Sequence, residues 1–118
     1  MRLFALALLL AMAAPNGTLS GKWEGSFQVA GGEHDVPQLF VFSEDGKKLT
    51  GTGGPDGVER YPIANGRVNG DRLTFELTTG DWKFFYDLKD TGQRMSGQLM
   101  LKSVNATRTA EVSLRKSE

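Results

Sequence analysis

Three short segments of the chain repeat one local pattern: Asp45-Gly46-Lys47-Lys48-Leu49-Thr50-Gly51, Asn69-Gly70-Asp71-Arg72-Leu73-Thr74-Phe75 and Thr91-Gly92-Gln93-Arg94-Met95-Ser96-Gly97. Each sets a glycine turn ahead of a basic, an apolar and a hydroxyl residue. Asp-Gly and Asn-Gly supply the positive φ of tight hairpin turns, and the alternation that follows starts a return strand with one apolar and one wet face. Successive copies are separated by room for two strands and two turns, so the chain meanders. Period-two alternation predicts strands over 21–29, 38–43, 48–53, 58–68 with a break, 72–78, 82–88, 94–102 and 107–115. Within them Trp23, Phe27 and Val29 alternate with Lys22, Glu24, Ser26 and Gln28, and Leu73, Phe75 and Leu77 alternate with Arg72, Thr74 and Glu76. Past residue 14 no stretch sustains apolar spacing of three and four for the length of a helix.

The start of the chain reads differently. Arg2 is followed by the uncharged apolar run 3–14, with Ala11-Met12-Ala13 offering small residues for a signal peptidase. A signal peptide over 1–13 is expected, cut between Ala13 and Ala14, then a linker over 14–18 and a single domain over 19–118. The run is too short for roughly 30 Å of hydrocarbon, so a secreted or periplasmic protein with no membrane attachment after cleavage is expected. All 15 glycines follow the leader, about twice the usual share. The chain has no cysteine, which removes disulfides, thiol catalysis and cysteine-ligated metals. Its 14 basic and 14 acidic residues cancel, leaving no basic field for nucleic acid.

Eight antiparallel strands with one dry face must bury that face. The expected fold is therefore all-β: an up-and-down antiparallel meander of about eight strands in a closed or nearly closed barrel, with a β-sandwich as the alternative. Closure removes exposed edges, and a barrel of this size is filled by side chains or holds one small ligand.

Gly21-Lys22-Trp23, on the first strand after the leader, resembles the Gly-x-Trp of the calycin group, the lipocalins and avidin-like proteins, whose tryptophan closes one barrel end. Leu49-Thr50-Gly51-Thr52 looks like the corresponding stretch of avidin-type barrels. The resemblance implies an up-and-down barrel with a ligand in its open mouth. The polar and tryptophan ring that avidin-like proteins place around biotin has no counterpart here, so biotin binding is not carried over. The texture also resembles small secreted bacterial domains of unassigned function.

Two functional readings follow. In the first, a small apolar, aromatic or sugar ligand sits in the barrel mouth, with Trp23, Phe27, Phe75, Trp82, Phe84 and Tyr86 as walls and Arg60 or Tyr61 as polar handles. Amphipathic rings suit such a site. In the second, the domain is a ligandless accessory module that meets an exported protein partner or a second copy through its outer surface. Phe85 and Met100 motivate it, because both break the wet-face rule. Glycines 25, 51 and 97 fall on the dry face, where a missing side chain either lets strands approach or leaves room inside.

An enzyme is a third reading. No serine has a nucleophile-elbow context, and a carboxylate-based hydrolase would need pairs that the sequence does not place. No catalytic residue and no cofactor is expected. Glu33, His34 and Asp35 are the metal candidate, but adjacent ligands rarely converge and no second histidine completes a site; a solvated loop is the ordinary outcome.

Overall fold

The computed structural model describes residues 19–117; the expected signal peptide and the expected linker lie outside them. The strands are β1 (Gly21–Val29), β2 (Val36–Asp45), β3 (Lys48–Gly54), β4 (Tyr61–Pro62), β5 (Ala64–Asn69), β6 (Arg72–Thr79), β7 (Trp82–Asp90), β8 (Arg94–Lys102) and β9 (Thr107–Lys116). All pairings are antiparallel and join near neighbours in sequence. The ring closes where β9 pairs with β1, Val112 opposite Phe27. The result is an eight-stranded antiparallel meander barrel with one short extra strand, β4. The sandwich alternative is thereby set aside. No helix among the described residues is long and apolar enough to cross a membrane.

The expected strand over 58–68 is corrected at its start. Asp56 Oδ1 accepts from the backbone N–H groups of Val58 and Glu59 at 2.9 and 2.8 Å, turning the chain locally. That side chain competes with ladder pairing, and Pro62 has no N–H to give. Residues 58–60 are loop, and Val58 is 91% exposed. A register shift between Ala64 and Arg67 then breaks the β5 pairing with β6. Elsewhere the strands run slightly longer than alternation predicts, notably β2, which gains Val36 and Pro37.

Alternation places the apolar set inside. Trp23, Phe40, Leu73, Leu88, Met95 and Leu99 are wholly buried. A plug of aromatic rings fills the middle: Phe75 stacks on Tyr86 at 4.7 Å, and Phe40 meets Phe42, Phe75 and Tyr86 at 5.3 to 5.4 Å. Such geometries add to the stabilisation from area burial.

The dry-face glycines serve close approach. A Cβ at Gly97 would lie 2.2 Å from the Asp87 carbonyl oxygen on the neighbouring strand, and one at Gly53 would lie 2.4 Å from the Phe40 ring. The missing atoms admit the backbone of a neighbouring strand and the plug, rather than leaving space.

The two barrel ends differ. At one, Trp23 Nε1 donates to the Leu19 carbonyl at 3.0 Å and the Lys116 ammonium lies 5.7 Å from the Trp23 ring centroid. This end is closed by the tryptophan. The three repeated hairpins, turning at Gly46, Gly70 and Gly92 with φ of 63°, 66° and 109°, sit at this same end. The opposite end carries the dissimilar loops 30–35, 55–60, 80–81 and 103–106.

Candidate functional site

The loop-bearing end holds a cavity of about 350 Å³ above the aromatic plug. That volume reaches the lower range of sites for small organic ligands, roughly 300 Å³ and upward. Its apolar lining comes from Phe27 on β1, Val36 on β2, Leu77 on β6 and Phe84 on β7. Phe27 and Phe84 meet edge to face, ring centroids 6.2 Å apart. Strand register explains the grouping, because Phe27 pairs with Val36 and Leu77 pairs with Phe84 on adjacent staves.

Two polar elements border this apolar space. The first is Gln38, 7% exposed, whose Oε1 accepts from Tyr86 Oη at 2.7 Å while its Nε2 donates to the Pro37 carbonyl at 2.8 Å. Burial pushes the Tyr86 phenol far above its ordinary value, so it stays protonated and donates. A buried amide and hydroxyl paired in this way avoid the cost of unmade hydrogen bonds. The second is the pair formed by Glu59 on the 55–60 loop and Tyr61 at the start of β4, where the phenol donates to the carboxylate. That hydrogen bond, with lesser help from desolvation and from the charge of Glu59, raises the Tyr61 pKa.

The structure distributes the expected ligand residues among three places. Phe27, Tyr61 and Phe84 line the mouth cavity. Trp23, Phe75 and Tyr86 are buried in the closed end and the plug; Tyr86 reaches the cavity floor only through Gln38. Trp82 packs on the core beside the 80–81 turn, outside the set that lines the cavity. Arg60, expected as a polar handle, is committed elsewhere. Its Nη1 donates to the Leu39 and Asp56 carbonyls at 2.7 and 2.8 Å, and its Nη2 to the Thr52 carbonyl and Oγ1 at 2.9 and 2.8 Å. The guanidinium fastens the 55–60 loop to the wall of β2 and β3. Desolvation lowers its pKa, and Asp56 opposes that shift.

Phe85 and Met100 are cross-strand partners on the outer face. A groove of about 430 Å³ runs over them, flanked by Glu76, Asp87, Gln98 and Thr109. Glu33, His34 and Asp35 lie exposed in the β1–β2 loop, and among the described residues no three His, Asp or Glu side chains group to hold a metal ion.

Sequence reasoning missed Gln38, Val36, Leu77 and Glu59. For Gln38 a signal existed, since a polar side chain two and four residues ahead of Phe40 and Phe42 falls on the dry face, where a buried polar group is the informative exception. Glu59 gave none, because loop packing alone brings it to the mouth.

Fold and site together define a small closed barrel with one plugged end and one apolar, cavity-bearing end. No family model matches the chain, and no similar protein was found among curated sequences or solved structures.

Proposed function

We propose that this domain is an exported, calycin-like binder that takes a small, largely apolar or aromatic molecule into the barrel mouth without covalent chemistry. The observation that carries the reading is the cavity of about 350 Å³ walled by Phe27, Val36, Leu77 and Phe84 and stopped by the aromatic plug. An otherwise filled barrel with space left at one end suits a site that holds a ligand at its mouth. The Gly-x-Trp position supports the calycin likeness, because Trp23 closes the far end.

A second reading rests on the direct pairing of Phe85 with Met100 under the outer groove. Such a patch suits an exported protein partner or a second copy of the chain.

One experiment separates the two. N-phenyl-1-naphthylamine, a neutral apolar fluorophore, is titrated into the purified chain, into Leu77→Trp, which fills the mouth, and into Phe85→Ser combined with Met100→Ser. Mouth binding predicts enhanced fluorescence that Leu77→Trp abolishes and the double variant keeps. Enhancement lost only in the double variant would move the binding surface to the outer face, and no enhancement at all would overturn the mouth reading.

A further inference from the structure

The charge of the mouth narrows the ligand class. Resting on the mouth reading above, we propose that the cavity selects an organic cation, a substituted ammonium carried on an apolar or aromatic body. Among the described residues that line the cavity, Glu59 is the one charged side chain. Three aromatic rings, Phe27, Tyr61 and Phe84, share the lining with it. Ring faces carry negative electrostatic potential and attract ammonium groups, more strongly as water is displaced.

The nearby cation, Arg60, makes no ion pair with Glu59. Arg60 follows it directly in the chain, yet both guanidinium Nη groups are spent on Leu39, Thr52 and Asp56, turned to the wall of the loop. Tyr61 donates to the Glu59 carboxylate and holds it at the cavity edge without neutralising it. Such a lining repels a carboxylate or phosphate ligand, gives a neutral one only apolar contact, and adds charge attraction and ring-face contact for an ammonium.

The test uses two probes of one shape. Benzyltrimethylammonium and neopentylbenzene differ by a quaternary nitrogen in place of a quaternary carbon. Both are titrated into the full chain, with the Leu77 methyl resonances followed by NMR. The cation should bind about tenfold more tightly than its neutral counterpart. Glu59→Gln should remove most of that preference and leave neopentylbenzene binding unchanged. Tyr61→Phe, which frees the carboxylate from its phenol, should keep the preference.

Equal affinity for the two probes, or a preference that survives Glu59→Gln, would overturn the charge assignment while leaving the mouth as a binding site. Failure of both probes to shift Leu77 would overturn the mouth reading and this proposal with it. Glu59 is exposed and outside the core, so a thermal melt matching the parent is expected and confirms that a lost preference reports charge.

Discussion

At the scale of single residues, polar groups at the barrel ends decide which charges the fold tolerates. Glu44, near the closed end, has a buried Oε1 with no hydrogen-bond partner. Desolvation raises its pKa above the ordinary value of 4.5; the Leu19 backbone N–H opposes this, Asp90 reinforces it and Lys116 opposes it. Between the unfolded and folded values the folded state therefore binds more protons than the unfolded one. By linkage, the contribution of this group to stability falls as pH rises through that window and stays lost above it. Replacing Glu44 by Gln removes the ionisation but keeps an acceptor for Leu19. The variant should match the parent below pH 4 and become the more stable of the two as pH is raised to 7, measured by urea unfolding at each pH. A parent that is the more stable at pH 7 would show that the carboxylate is needed in its charged form. Gln38 makes the contrasting case, a polar side chain deep in the barrel whose bonds to Tyr86 and Pro37 are made within the protein.

At the scale of elements, what was legible in the sequence is what repeats. Period two assigns every side chain of a strand to a face, so Trp23 and Phe27 on β1, or Leu73, Phe75 and Leu77 on β6, report their burial directly. Gly46, Gly70 and Gly92 sit in left-handed turns, so the three repeated motifs marked hairpins. The mouth has no such code. Loop 55–60 owes its path to Asp56 capturing two backbone N–H groups and to Arg60 bonding three residues, among them Leu39, which lies 21 positions back in the sequence. Alternation was likewise blind to why an inward glycine is there. Gly97 answers through its neighbour, since an added Cβ would sit 2.2 Å from the Asp87 oxygen and 2.8 Å from the Leu88 Cα. Both atoms are backbone, so relief requires parting β7 from β8. Gly97→Ala should therefore cost about 1–3 kcal/mol, as overpacking does, and should speed amide exchange along the β7–β8 ladder. Gly31→Ala, where nothing lies within 4 Å but φ is +80°, should cost less and leave that ladder untouched. Equal costs with no change in exchange at β7 and β8 would remove close approach as the reason for Gly97.

At the scale of the whole molecule, the two ends of the barrel are built differently. The closed end gathers the repeated hairpins, the Trp23 bond to Leu19 and fully buried side chains such as Leu73, Leu88 and Met95. The other end gathers dissimilar loops and half-buried rings around open space. Stability and binding should therefore respond to different truncations. Trp23→Ala empties a wholly buried site and should cost about 3–5 kcal/mol, the range for large aromatic truncations in a core. Phe84→Ala removes a partly buried ring beside a space that already exists, so less apolar area is returned to water and the cost should be about 1–2 kcal/mol. Binding of N-phenyl-1-naphthylamine should show the reverse order where the Trp23 variant remains folded: retained in Trp23→Ala at low temperature and lost in Phe84→Ala. Chemical denaturation and fluorescence titration on the same two variants make the comparison. If Phe84→Ala proves the more destabilising, or if the probe leaves with Trp23 rather than with Phe84, the axial division fails, because the mouth would then be part of the structural core rather than a cup set on top of it.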